Sequence, residues 1–168
     1  MKILNHRQII QKIQRLAIEI LENNYGVSEI ILAGVNNNGM TFARLLMPEL
    51  EAQAGSTAIR LTHIRLNPAE PLSQPVVVGM QLSELEGKTI IVTDDVGNTG
   101  RTLFYACKPL LEVLPHKVEM AVLVDRKHKS FPVKVDYVGL SLATTLREHI
   151  DVQLKDTNDF AAYLHERL

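Results

Sequence analysis

Apolar and polar positions alternate along this chain with two different periods. From His6 to Asn23 the apolar residues Ile9, Ile13, Leu16, Ile20 and Leu21 recur at helical spacing, with Gln, Lys, Arg and Glu between them. That pattern predicts an amphipathic helix, and Asn5 is placed to cap it. The run Ile30-Ile31-Leu32-Ala33-Gly34-Val35 is short and continuously apolar, as in a strand buried on both faces. The polar tract Asn36-Asn37-Asn38-Gly39 then reads as a loop, with a second helix over residues 40–54. Residues 58–66 read as a strand, and the three prolines Pro68, Pro71 and Pro75 mark a surface excursion over residues 66–75. Val76, Val77 and Val78 form a short returning strand. Residues 89–93 are another buried strand, and residues 94–102 are a glycine-containing loop. A helix over 100–113, strands over 117–124 and 137–139, and a last helix over 156–168 complete the prediction.

Strands that alternate with helices predict an α/β domain whose mainly parallel sheet is flanked by helices. In such sheets ligands bind where loops leave the carboxyl ends of the strands. The two strand-to-helix loops with unusual chemistry are 36–39 and 94–102. Composition narrows the class further. The chain has 168 residues, 46% of them hydrophobic and 22% charged, with a net charge of −1. This fits one soluble domain spanning 1–168, and no excess of positive charge advertises nucleic-acid binding. A single cysteine, Cys107, cannot form an internal disulfide, and residues 1–8 lack the apolar stretch of a secretory signal. Both point to the cytoplasm. Cys107 reads as a core thiol.

The strongest local signal is Ile90-Ile91-Val92-Thr93-Asp94-Asp95-Val96-Gly97-Asn98-Thr99-Gly100-Arg101-Thr102. A strand leaves the core and presents two carboxylates, then the chain turns through Gly97 and Gly100 into a helix. The start of that helix offers unpaired N–H groups and a dipole suited to an anion. Thr99 and Thr102 add hydroxyls and Arg101 adds a positive charge. Ionised carboxylates accept hydrogen bonds from sugar hydroxyls, or hold a hydrated hard cation such as magnesium. A phosphate cradle beside a carboxylate pair reads as a ribose 5-phosphate site. The Walker spacing is absent, and the acids precede the glycines, which excludes the dinucleotide fingerprint. The bland reading is a tight turn in which Thr99 caps the helix and two acids sit on a solvated edge.

This segment resembles the phosphoribosyl pyrophosphate signature of type I phosphoribosyltransferases: a hydrophobic strand, two acids, then D-V-x-x-T-G-x-T. The resemblance implies that fold, with a small hood and a flexible loop. It implies that Asp94 and Asp95 are the catalytic pair, contacting the ribose hydroxyls and magnesium either directly or through ribose or water. It also implies that residues Val96, Gly97, Asn98, Thr99, Gly100, Arg101 and Thr102 complete the ribose 5-phosphate site. Val122-Leu123-Val124-Asp125-Arg126-Lys127-His128-Lys129-Ser130-Phe131-Pro132-Val133, followed by Asp136-Tyr137-Val138-Gly139, is similar to V-L-V-D-R-G-H-R-E-L-P-I … D-Y-V-G of the pyrimidine-operon attenuator/uracil phosphoribosyltransferase family. The likeness runs from the first helix to about residue 153. It implies transfer of the phosphoribosyl group to a nucleobase, uracil first, with release of pyrophosphate, and a homodimer or larger homo-oligomer. It places Asp125 and Arg126 in the base region, where a structural ion pair is an equal reading.

The sequence departs from that family at three places. Asn36, Asn37, Asn38 and Gly39 stand where the family has a pyrophosphate turn, typically G-I-K-T-R-G, so both basic residues are replaced by asparagine. Arg65 stands at the lid where the family has Y-R-D-D, without the acids. Gly97-Asn98 replaces a typical Leu-Tyr, and purine-specific relatives usually place an aspartate where Asn98 stands. Two alternatives therefore stand beside the enzyme: a nucleotide-sensing regulator that binds pyrimidine-operon RNA with little turnover, and a 6-oxopurine salvage enzyme. The one basic run, Arg126-Lys127-His128-Lys129, reads as a solvated loop before it reads as an RNA contact. Residues 139–147 lie where the family builds part of its base pocket, and no aromatic residue there identifies a base contact.

Overall fold

The computed structural model describes residues 1–166. Its centre is a six-stranded sheet in the order β4-β3-β2-β5-β6-β7. The strands are β2 (Glu29–Val35), β3 (Ala58–Arg65), β4 (Val77–Val78), β5 (Thr89–Gly97), β6 (Lys117–Arg126) and β7 (Tyr137–Leu142). All pair in parallel except β4, which runs antiparallel to β3 at the edge. A second, three-stranded antiparallel sheet forms the hood, from β1 (Lys2–Leu4), β9 (Ala161–Glu166) and β8 (Glu148–Gln153). Among the described residues no helix is long and apolar enough to cross a membrane.

Side chains of successive strand residues point to opposite faces, and each face of the central sheet is covered. Ile30, Leu32, Ile91, Ala121 and Leu123 pack with α1 (His6–Asn23) and α2 (Asn36–Glu51). Ile31, Ala33, Ile90, Val92, Met120 and Val122 pack with Leu103 and Ala106 of α3 (Arg101–Ala106) and with Leu110 beyond it. The continuous apolar runs of the sequence follow from this double burial. Asn5 caps α1 in a capping box: its side chain accepts from Gln8 N at 3.0 Å, and Asn5 N donates to Gln8 Oε1 at 2.9 Å.

Five expectations are corrected. The asparagine tract is the first turn of α2, not a loop. Asn36 takes a left-handed φ of 51° at the junction, a conformation asparagine tolerates. Strand β5 continues through Asp94 and Asp95 to Gly97, and β6 continues through Asp125 and Arg126, because the two pair in register that far, Gly97 against Asp125. The helix expected over 100–113 is two pieces, α3 and a 3-10 segment, Lys108–Glu112. Pro109 lacks the N–H that a continuing helix needs. The last helix does not form: Ala161–Glu166 is strand β9, with residues 167–168 outside the described residues. Pairing with both β8 and β1, together with burial of Phe160 against the His6 ring at 4.8 Å, overrides the local preference. Strands β1 and β8 have no counterpart in the sequence prediction.

Two glycines let α2 lie close against the sheet. A Cβ on Gly34 would come within 2.6 Å of the Met40 Cα, and one on Gly39 would press into the Thr93 carbonyl oxygen. Thr93 Oγ1 donates to the Gly39 carbonyl at 3.1 Å. This contact fixes the start of α2 beside the end of β5. Gly39→Ala is expected to cost about 1–3 kcal/mol, the range for overpacking a close contact, read as a lowered urea midpoint. An unchanged midpoint would show that α2 has room to move.

Candidate active site

Strand β5 is central, with β2 on one side and β6 on the other. Its carboxyl end therefore emerges in the middle of the sheet, where β2 also ends and α2 begins. Asp94 and Asp95 sit on that end, and the chain itself holds them. Asp94 Oδ1 accepts from Asp95 N at 2.9 Å, and Asp95 Oδ1 accepts from Val96 N at 2.9 Å. Asp95 Oδ2 accepts from the Asn38 amide at 3.0 Å. Asp95 is only 9% exposed, so its charge is poorly solvated.

A cleft of about 460 Å³ opens on this pair. Every residue from Asp94 to Leu103 lines it, facing Asn36, Asn37 and Asn38 of α2, Pro68 of the excursion, and Ile150, Asp151 and Val152 of hood strand β8. Gly100 turns the chain into α3 at a φ of 85°, and a Cβ there would strike Val133. Only glycine fits such a turn at no steric cost. Two further clefts adjoin the first. One, of about 440 Å³, continues past Asn38, Asp95 and Asp151 to Lys155, Asp156 and Asp159. The other, of about 590 Å³, lies on the far side of Asn98 and Thr99 and reaches Arg126, Phe131 and His149.

The carboxylate pair titrates abnormally. Burial and the charge of Asp95 push the Asp94 carboxyl well above the usual carboxylate range. Burial raises Asp95 as well, opposed by its hydrogen bonds with Asp94, Val96 and Asn38. Among the described residues no Lys, Arg or His forms an ion pair with either carboxylate. A divalent cation or the hydroxyls of a sugar would relieve both causes, and oxygen donors of this kind suit a hard cation.

The structure brings most of the expected residues together. Asp94, Asp95, Val96, Gly97, Asn98, Thr99, Gly100, Arg101 and Thr102 share one cleft with Asn36, Asn37 and Asn38. The asparagine side chains are already engaged: Asn36 Oδ1 accepts from Leu66 N at 3.1 Å, Asn37 Oδ1 from Arg65 Nη1 at 2.7 Å, and Asn38 donates to Asp95. Gly39 serves the close packing of α2 and does not line the cleft. Arg65 is bound to Asn37 and lies outside the cleft. Asp125 lines none of these three clefts; its carboxylate is paired with Lys129 Nζ at 2.6 Å. Arg126 lines the neighbouring cleft, donating to the Thr144 hydroxyl and the Thr145 carbonyl. The excursion folds around Asn67, whose Oδ1 accepts from Ala69 N at 3.0 Å, and Arg101 Nη2 ties it down at the Pro68 carbonyl, 2.7 Å away.

Ile150, Asp151 and Val152 were missed. The alternation in Glu148-His149-Ile150-Asp151-Val152-Gln153, with Ile150 and Val152 two apart, is the strand signal that could have found them. Asp151 faces both the first cleft and its acidic extension.

Comparisons with known proteins agree with this geometry. The family model for the phosphoribosyl transferase domain matches residues 1–157. The bifunctional protein PyrR of Bacillus pumilus is 35% identical over 170 residues, covering 95% of this chain and 94% of the relative. That of Clostridium acetobutylicum is 32% identical over 168 residues, covering 94% and 92%. Among solved structures, a hypoxanthine-guanine phosphoribosyltransferase from Bacillus anthracis superposes with a TM-score of 0.75 at 19% identity, covering 96% of each chain. A hypoxanthine phosphoribosyltransferase of Trypanosoma cruzi gives 0.75 at 17% identity, covering 96% and 95%. These structural likenesses, together with the parallel sheet flanked by helices, establish the type I phosphoribosyltransferase fold.

A carboxyl whose pKa is raised by folding holds its proton more tightly in the native state. Its contribution is therefore full at low pH and is lost as pH rises through the native value. Ligand-free protein is expected to lose stability from this pair as pH rises from the ordinary carboxylate range toward neutrality. Asp94→Asn, which keeps the acceptor for Asp95 N, should match or exceed the parent in Tm at neutral pH, and the gap should close on acidification. A variant less stable than the parent at neutral pH would contradict the repulsion.

Proposed function

This chain belongs to the phosphoribosyl transferase domain family, and from that premise we propose that it transfers the 5-phosphoribosyl group from phosphoribosyl pyrophosphate to a nucleobase, uracil first. The observation that carries the reading is the single cleft in which Asp94 and Asp95 stand beside the turn Thr99-Gly100-Arg101-Thr102. A 5′-phosphate fits the turn, whose Thr99 and Thr102 hydroxyls and Arg101 guanidinium surround the start of α3. The ribose hydroxyls then reach the carboxylates, which accept their hydrogen bonds.

In the reaction the bond from ribose C1 to the pyrophosphate oxygen breaks, and the base nitrogen forms the new bond to C1. The electron pair leaves with pyrophosphate and the base proton passes to solvent. Positive charge develops at C1, as in glycoside cleavage. Asp94 and Asp95 hold the sugar in line and place negative charge near that centre. The excursion over residues 66–75, held at Pro68 by Arg101, covers the phosphate end and limits water. Magnesium suits the site, with Asp94 and Asp95 as the residues that would hold it directly or through water, and it would neutralise the departing pyrophosphate.

A second reading has its own observation. The first turn of α2 carries no Lys or Arg, and all three asparagine side chains are bound within the protein. Backbone N–H groups and the neutral amide N–H groups of Asn36 and Asn37, whose oxygens alone are bound, are what is left there to meet pyrophosphate charge. This favours a protein that senses a nucleotide and turns over slowly, in keeping with relatives named bifunctional. Within the basic run Arg126 and Lys129 turn onto protein acceptors, and Lys127 and His128 are exposed, which leaves a small basic surface for an RNA. The 6-oxopurine reading draws on the names of the structural neighbours, and Asn98, exposed at the mouth of the neighbouring cleft, is the residue that would meet the base.

Pyrophosphate release with magnesium across uracil, hypoxanthine and guanine tests these readings. Turnover with uracil is expected. Absence of turnover with every base, joined to calorimetric binding of a nucleoside monophosphate, would overturn the enzyme and leave the sensor. Thr99→Ala should weaken any 5′-phosphorylated ligand by about 0.5–3 kcal/mol, the range for a hydrogen bond to neutral or charged partners; unchanged calorimetric affinity would remove Thr99 from the cradle.

A further inference from the structure

Against the turn that follows β5, and outside the lining of the cleft, one ammonium meets four oxygens. The three N–H groups of Lys129 are shared among Asp125 Oδ1 at 2.6 Å, the Arg126 carbonyl at 2.7 Å, the Asn98 carbonyl at 3.0 Å and the Gly97 carbonyl at 3.2 Å. The next carbonyl of the turn, Thr99, accepts from Ser130 N at 2.9 Å and Phe131 N at 3.2 Å. Three consecutive carbonyls of the turn are therefore held by the segment 129–131. We propose that Lys129 is a positioning residue for the phosphate turn, holding its carbonyls backward so that its N–H groups face the ligand.

The argument rests on peptide geometry and on charge. All described peptide bonds are trans, and in a trans peptide the C=O of one residue and the N–H of the next point in opposite directions. Carbonyls of Gly97, Asn98 and Thr99 that point to residues 129–131 send the N–H groups of Asn98, Thr99 and Gly100 the other way. Successive N–H groups aimed to one side form an anion-binding concavity. Left alone, the two carbonyl dipoles and the Asp125 carboxylate would repel one another. They are crowded as well, since a Cβ on Gly97 would lie 2.6 Å from Asp125 Oδ1. Lys129 neutralises that convergence. Its charge is balanced locally by Asp125, so it adds little direct pull on a phosphate, and its effect is orientation. The stem also packs beneath Gly100, where a Cβ would meet Lys129 Cδ at 3.3 Å, so an uncharged side chain of similar length keeps the packing.

The inference rests on the reading of this turn as the 5′-phosphate site, and two measurements separate the two. The first is hydrogen exchange in ligand-free protein. In Lys129→Met the amides of Ser130 and Phe131, which hold the Thr99 carbonyl, should exchange faster than in the parent, with the rest of β5 and β6 unchanged. The second is calorimetric affinity for ribose 5-phosphate. It should fall about tenfold to a hundredfold in Lys129→Met, the equivalent of one hydrogen bond to a charged group. Lys129→Arg should restore it to near the parent value, and Lys129→Gln, with two donors, should fall between. In turnover, KM for phosphoribosyl pyrophosphate should rise more than kcat falls. Parental exchange at residues 130 and 131 in both Lys129→Met and Lys129→Gln would overturn the role of Lys129. Failure of the parent itself to bind ribose 5-phosphate would overturn the site reading, and the exchange data would still decide the positioning role. If Lys129→Met does not fold, the Gln and Arg variants carry the same comparison.

Discussion

The site depends on the placement of β5 between two parallel neighbours. That pairing buries Ile90, Ile91 and Val92 on both faces and carries Asp94 and Asp95 to the point where the sheet ends in a cleft. Two carboxylates at the end of a buried strand are costly, since burial and mutual repulsion both oppose their charge. The chain offsets part of this with its own N–H groups and the Asn38 amide. The remainder is a standing demand for a positive or hydroxyl-bearing ligand. Affinity for such a ligand and instability without it come from the same pair, as at other sites where function opposes stability.

Much of this was legible in the sequence because it is local. Helix α1 and its Asn5 cap follow from spacing and one side-chain acceptor. The parallel strands follow from continuous apolar runs, and the cradle follows from acids, glycines and threonines in one stretch of chain. What was illegible is non-local. The hood strand β8 is placed only once β9 is known to pair with it, and β1 with β9. The asparagine tract looked like a loop because three polar residues in a row seldom begin a helix; the close seat of Gly39 on Thr93 starts it there. Lys129 looked like part of a solvated basic run, and nothing in its neighbours in sequence announces the Gly97 and Asn98 carbonyls that it serves.

The asparagines and the excursion form one connected structure. Asn36 holds Leu66 and Asn37 holds Arg65, while Arg101 holds Pro68 from the opposite wall of the cleft. Arg65 and Arg101, the charged residues among these, are turned onto the Asn37 and Pro68 oxygens. The cleft then has three acids, Asp94, Asp95 and Asp151, against the single guanidinium of Arg101 among its lining residues. Such a cleft disfavours a highly charged anion unless cations accompany it, and it discriminates less against a monophosphate.

The hood has a consequence for how the protein is made. Strand β1 pairs with β9, so Lys2 sits opposite Tyr163. During synthesis the first strand waits, unpaired, until almost the whole chain has left the ribosome. The last strand of the central sheet, β7, ends at Leu142, so its hydrogen-bonding partners are all made before those of the hood. The turn after β5 is thus made before the wall that carries Asp151, and one side of the cleft stands bare until the hood strands follow.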